Sequence, residues 1–259
     1  MKRTKLIALG ILMLCSLLLI INAVPAKATS SSSYIFTEYY MGAAVTADGK
    51  WTDPDEWHDV TTQYMPPSGS HVGLFEYKMD TTDYTMTWLL EFADNTNDAG
   101  DKWQIILDGG DDGGSAPNAN DVKLEITGHT TVATYVGSGT GWTASAWTVA
   151  GWQDSLTTSP HDPANHYVCE VKFSKSQWDW GVNPPPHGVR VAMYDASNPS
   201  QGWVAWPPTS TDTNPASWGG IPDYLAAPAP EGLTIGVMLL VSSVAAVVSI
   251  RYFRKPPKL

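Results

Sequence analysis

Apolar and polar residues alternate in short runs along most of this chain, with turn residues between the runs and no sustained helical period. Residues 101–127 show the pattern most clearly. Trp103, Ile105 and Leu107 alternate with Gln104, Ile106 and Asp108, and after an acidic, glycine-rich turn Val122, Leu124 and Ile126 alternate with Lys123, Glu125 and Thr127. A period of two is the signature of half-buried strands, so the stretch predicts two strands pairing as sheet neighbours. Further strands are expected over residues 71–80, 84–94, 130–137, 166–174 and 189–194. Within 84–94, Tyr84, Met86, Trp88, Leu90 and Phe92 place five large apolar residues on one face. Asp48-Gly49 marks a turn, a short helical turn is expected from Asp53, and Pro66, Pro67, Ser68 and Gly69 break the chain. Eight or nine strands without a helix long enough to cover a sheet predict an all-β antiparallel sandwich of the jelly-roll kind, with a single antiparallel barrel as the alternative.

The two ends follow other rules. Lys2, Arg3 and Lys5 precede an uncharged apolar run over 6–21, and Ala26-Lys27-Ala28 has the small-x-small form read by signal peptidase, which predicts a signal peptide over residues 1–28. Residues 233–250 carry no charge. As a helix they would measure about 27 Å, close to the thickness of a bilayer's hydrocarbon layer. Arg251, Arg254, Lys255 and Lys258 follow at once. Basic residues stay cytoplasmic, so the expected arrangement is a single-pass membrane protein with its domain (34–220) outside, a proline- and alanine-rich spacer (221–232), a transmembrane helix (233–250) and a cytoplasmic tail (251–259). Pro230-Glu231-Gly232, the apolar run and the basic cluster together resemble the carboxy-terminal sorting signals of archaeal and bacterial surface proteins that begin Pro-Glu-Phe or Pro-Glu-Pro. Gly232 departs from both forms. The resemblance implies a sorting enzyme acting near Pro230-Glu231, and an ordinary permanent anchor accounts for the same features.

Charge narrows the choice of partner. The chain carries a formal charge of −11, and the two ends hold eight of its 15 basic residues, which leaves residues 29–230 with seven basic and 25 acidic side chains. Such a surface repels nucleic acid. Cys169 is the only cysteine beyond the leader, so no internal disulfide is available to this exported domain.

Two groups of residues carry candidate chemistry. Asp108, Asp111, Asp112, Asn118, Asn120 and Asp121 crowd the turn between the two central strands, and so many oxygen ligands on a flexible backbone suit a hard cation such as calcium. Their spacing differs from that of the twelve-residue helix-loop-helix calcium loop, and a solvated acidic turn is the plain alternative. The second group is aromatic. The chain has 12 tryptophans. Trp88 and Trp103 lie in phase with strand core faces, whereas Trp142, Trp147, Trp152, Trp203, Trp206 and Trp218 lie among Gly, Ser, Thr and Pro. Flat indole faces match the C–H faces of sugar rings, so exposed tryptophans beside amides, carboxylates and hydroxyls predict a glycan site. The alternative is that these rings cover the open ends of the sandwich.

Catalytic motifs are lacking: there is no Gly-x-Ser-x-Gly elbow, no His-Glu-x-x-His, no phosphate loop and no Cys-x-x-Cys. A glycosidase pair is defined by a distance across a cleft, not by spacing, so the expectation of a non-enzyme rests on the missing motifs alone.

The order of several segments resembles the family-nine carbohydrate-binding modules and the wider group of dopamine-monooxygenase-type (DOMON-like) sandwiches. They are Ala47-Asp48-Gly49-Lys50 with Glu56-Trp57; residues 101–108, DKWQIILD; residues 166–173, HYVCEVKF; and residues 190–195, RVAMYD, followed by Trp203 and Trp206. The resemblance spans most of residues 40–220. It implies a jelly-roll sandwich that binds sugars, sometimes with calcium, and holds the sugar between two tryptophans, here Trp142 or Trp147 with Trp203 or Trp206. Phe173-Ser174 stands where the family has Ile-Pro, and residues 111–120 form an insertion. Another branch of the group binds haem through methionine and histidine, for which Met65, Met79, Met86 or Met193 would serve, although no Cys-x-x-Cys-His attachment is present. The functions expected are thus a surface-anchored, non-catalytic glycan-binding module, a structural or adhesive surface protein, or a haem-binding electron-transfer domain.

Overall fold

The computed structural model describes residues 33–36, 45–52, 56–66, 72–80, 85–174 and 187–221. The expected signal peptide, the spacer, the apolar segment 233–250, the basic tail, the sorting motif, Tyr84 and Asp53 lie outside these residues. Among the described residues no helix is long and apolar enough to cross a membrane.

Among the described residues, twelve strands form two antiparallel sheets: β1 (Gln63–Met65), β2 (Gly73–Met79), β3 (Thr85–Phe92), β4 (Lys102–Asp108), β5 (Asp121–Thr127), β6 (Thr131–Gly137), β7 (Trp142–Ala144), β8 (Gly151–Thr157), β9 (His166–Ser174), β10 (His187–Tyr194), β11 (Val204–Trp206) and β12 (Gly219–Ile221). One sheet has the order β1-β2-β3-β9-β8. The other runs β11-β10-β4-β5-β6-β7, with β12 also paired to β10. The two separate sheets make this a sandwich and not the barrel alternative. Strands β4 and β5 pair as their alternation predicts, from Lys102↔Thr127 to Asp108↔Asp121.

Parity assigns each side chain to a face. Phe75, Tyr77, Met86, Trp88, Leu90 and Phe92 from one sheet meet Trp103, Ile105, Leu107, Leu124, Val191 and Met193 from the other in one core. Met65, Met79, Met86 and Met193 all belong to it and are at most 1% exposed. These are the four methionines considered as haem ligands, and each is packed in the core. At the β12 end a side chain on Gly219 would strike the Trp206 ring, its Cβ lying 2.2 Å from a ring carbon, so glycine is required there.

The outer face of the five-stranded sheet is also covered. Residues 45–52 and 56–60 lie over it, and Val45, Trp57, Leu89 and Val168 form a second small core. Glu170, fully buried on β9, anchors this cover: its carboxylate accepts hydrogen bonds from the Asp48 N–H (2.9 Å), the Gly49 N–H (3.0 Å) and Trp57 Nε1 (2.9 Å). Lys78 extends into the same layer, donating to the Glu56 carbonyl and lying 2.5 Å from Asp59 Oδ1. These bonds account for the Asp48-Gly49 and Glu56-Trp57 positions singled out in the sequence.

Candidate functional site

The outer face of the seven-stranded sheet is built from the alternate positions of β4, β5, β6 and β10. A polar chain crosses it. Arg190 Nη1 donates to Gln104 Oε1, Gln104 Nε2 donates to Glu125 Oε2 (3.1 Å), and Lys102 Nζ donates to Glu125 Oε1 (2.9 Å). Register explains the contacts, because Gln104 lies opposite Glu125 on one side and Ala192 on the other, and Arg190 is two residues from Ala192 on the same strand. After β11 the chain folds back over part of this face. The Ser210 carbonyl accepts from Arg190 Nε at 3.4 Å, and Asp212 lies 3.6 Å from Lys123 Nζ. Burial lowers the Arg190 guanidinium to about 10, with Asp212 acting in the opposite direction, and burial also lowers Lys123. Arg190 remains a cation at neutral pH.

Aromatic rings flank the polar chain at two corners. Trp203, 40% exposed, lies 5.6 Å from the Tyr194 ring, and the Arg190 guanidinium sits 5.6 Å from its centroid. At the other corner Lys123 Nζ lies 4.5 Å from the Tyr135 ring and 5.1 Å from the Trp142 ring. Trp142 is half-buried, donates Nε1 to the Asp212 carbonyl (2.9 Å), and stacks parallel to Trp218.

The structure divides the tryptophans expected to bind ligand. Trp142 and Trp203 lie on this face. Trp206 is 2% exposed and packs edge-on against Phe36 and Phe75, because on β11 its parity points inward. It has no ring face to offer a ligand. Trp147 packs on Phe173 with centroids 5.3 Å apart and donates Nε1 to the Tyr135 carbonyl, so it closes the margin of the sandwich. Trp152 faces inward on β8 against the same core. Trp142 and Trp203, one of the pairs expected to clamp a sugar, stand at opposite margins of the face. Trp142 pairs with Gly137 near the Asp108 end of the strands, Trp203 adjoins the Lys102 end, and four strand spacings separate β10 from β7. Trp142 lies beside Lys123 and Trp203 beside Arg190, and Lys123 and Arg190 flank Ile106 of β4 from its opposite sides.

The acidic group also divides. Carboxylate oxygens of Asp108, Asp112 and Asp121 lie within 4.8 Å of one another. Asn118 supports them, donating its backbone N–H to Asp121 Oδ2 (2.7 Å) and Nδ2 to Asp112 Oδ1 (2.8 Å). Asp111, at φ 42°, shapes the turn, and Asn120 donates its N–H to Asn118 Oδ1. Neither belongs to the carboxylate trio.

A second trio, Asp94, Asp101 and Asp195, was not anticipated from sequence. Its members flank three strand ends, after β3, before β4 and after β10, and that placement is the signal the sequence contained. Their oxygens brace loops: Asp94 accepts from the Thr96 N–H and hydroxyl, Asp101 from the Asp98 and Ala196 N–H groups, and Asp195 from the Ser197 and Asn198 N–H groups. His129 bridges Asp101 (3.1 Å) and Asp154 (2.6 Å) and stacks on Tyr167. Burial opposes its charge, but the two carboxylates outweigh that effect and raise its pKa.

A cavity of about 480 Å³ opens beside the five-stranded sheet, lined by Tyr64, Gly73, Glu91, His161, Asp162 and His166. His161 pairs with Glu76 (3.2 Å) and His166 with Glu91 (3.1 Å). The histidines thus face separate carboxylates and do not converge on one centre.

No family model matches the sequence, and no curated protein matches it. Among solved structures the chain is similar to a family 9 carbohydrate-binding module from Caldicellulosiruptor kristjanssonii in complex with cellotriose, at 17% identity over 73% of this chain and 92% of that one, TM-score 0.48. It is likewise similar to a family 9 module from the same organism in complex with glucose, at 16% identity over 73% and 94% of the two chains, TM-score 0.47.

Proposed function

We propose that this protein is a non-catalytic glycan-binding module, displayed outside the cell by its apolar segment 233–250, and that it binds along a polysaccharide with the outer face of the seven-stranded sheet. The observation that carries this reading is the exposed Trp203 ring beside Tyr194 and Arg190, continuous with the Gln104–Glu125–Lys102 chain. An apolar ring face stands next to fixed donors and acceptors, which is the chemistry a pyranose requires. The separation of Trp142 from Trp203 favours a ligand several sugar rings long over a single sugar held between two indoles. The carboxylates on this face, Glu125 and Asp212, are ion-paired with Lys102 and Lys123, an arrangement suited to orienting hydroxyls.

One observation favours the rival reading of a structural or adhesive surface protein: Trp147, Trp152, Trp206 and Trp218 serve packing. Tryptophan fluorescence and calorimetry on the purified full chain in detergent, against a panel of polysaccharides and their oligosaccharides, separate the two. The glycan reading expects polymers and longer oligosaccharides to bind more tightly than monosaccharides. No response to any glycan at millimolar sugar would leave the structural reading standing.

A further inference from the structure

We infer that Asp108, Asp112 and Asp121 form a calcium site that clamps the loop of residues 109–120. The inference stands independently of what the sheet face binds. Asp108 and Asp121 lie directly opposite one another at the ends of β4 and β5, both fully buried and both on the outer face. The Asp112 carboxylate approaches from the loop to complete the trio. Asp108 is well supplied with donors, accepting from the Gly110 N–H (3.0 Å) and the Gly113 N–H (2.9 Å). Asp121 is not: Oδ2 accepts from Asn118, whereas Oδ1 is buried with no hydrogen-bond partner. None of the three carboxylates is ion-paired with a lysine or arginine among the described residues.

A buried carboxylate oxygen without a donor, facing two further carboxylates, is costly unless a proton or a cation occupies the space. Three hard oxygen donors on a loop suit calcium, which accepts irregular geometry and completes its shell with water, better than magnesium, which demands near-octahedral geometry and sheds water reluctantly. Gly110 keeps the site open, since a side chain there would place Cβ 3.2 Å from Asp112 Oδ2. The clamped loop in turn braces its neighbours. The Pro117 carbonyl accepts from the Gly139 N–H (2.7 Å) in the turn that leads to Trp142, and the Gly114 carbonyl accepts from the Ala216 N–H (3.0 Å) just before Trp218.

The test uses the full chain in detergent, stripped of metal, with calcium or magnesium added at equal ionic strength. Calcium should raise the melting temperature by several degrees more than magnesium. Asp112→Asn keeps the oxygen that bonds Asn118 and is the variant expected to fold; Asp112→Asn with Asp121→Asn removes the site. Calcium stoichiometry by equilibrium dialysis should fall by one ion per chain in the double variant, and affinity should fall in the single one. Undiminished stoichiometry in the double variant would place any calcium elsewhere, for example at Asp94, Asp101 and Asp195, and would overturn the assignment. Equal effects of calcium and magnesium on the native chain would overturn it too.

Discussion

The indole of Trp142 lies parallel to that of Trp218, with ring centroids 6.3 Å apart and 10° between the planes. The rings differ in what surrounds them. Trp218 is fully buried and donates Nε1 to the Thr211 carbonyl at 2.7 Å, whereas Trp142 lies half-buried on the sheet face. Trp218→Ala is therefore expected to cost about 3–5 kcal/mol of stability, and Trp142→Ala about 1–2 kcal/mol. Denaturant melts check the difference. Equal losses at the two positions would mean that Trp142 is a core ring as well.

A similar contrast separates Trp203 from Trp206. Trp203→Ala removes an exposed ring, so stability should change by less than about 1 kcal/mol while affinity for a bound polysaccharide falls by about tenfold, or ~1.4 kcal/mol. Trp206→Ala opens a cavity against Phe36 and Phe75 and should cost about 3–5 kcal/mol. Calorimetry with the polysaccharide found in the initial screen reads the first effect and thermal melts the second. Unchanged affinity in the Trp203 variant would remove the ring on which the proposed function rests.

Where residues follow the sheet period, the sequence was readable. Alternation located β4 and β5, and the same parity sends Gln104, Glu125 and Arg190 to a common face. Period-two reasoning was less informative on β2 and β3, because Glu76, Lys78 and Glu91 look solvated in sequence but are covered by distant segments: residues 56–60, and residues 159–166, where Ser159 and His166 bond Glu91. Trp147 and Trp152 misled for the converse reason. Their Gly- and Ser-rich surroundings suggest exposure, yet the chain returns them to the margin of the core, and local sequence does not encode that return. Asp94, Asp101 and Asp195 are up to about a hundred residues apart, and only the folded strand ends bring them together.

The charge asymmetry of the chain's end makes a prediction outside the described residues. Because basic residues follow the apolar segment, the domain should face outward, so protease added to intact cells should remove it, and residues 29–230 expressed alone should be soluble. Protection of the domain in intact cells would reverse the orientation.

Glu170 gives a pH dependence whose sign is fixed by its burial. Burial is the largest influence and raises its pKa from 4.5 to about 7; the bond from Trp57 and those from the Asp48 and Gly49 N–H groups oppose the rise without cancelling it. The folded chain therefore keeps this proton at a pH where the unfolded chain has released it. An acid with a raised folded pKa contributes most below its unfolded value, and that contribution is lost as pH rises from about 4.5 to about 7. The loss is on the order of a few kcal/mol. Glu170→Gln has no proton to release and keeps one carbonyl oxygen for the Asp48 and Gly49 donors, while its amide faces the Trp57 N–H and loses that bond. The variant should be less stable than the native chain at pH 4.5, and the gap should narrow or invert by pH 7.5. Denaturant melts of both proteins at the two pH values measure this difference, which largely cancels contributions from the other carboxylates. Parallel stability curves would show that Glu170 titrates alike in the folded and unfolded chain, contrary to the burial that encloses it.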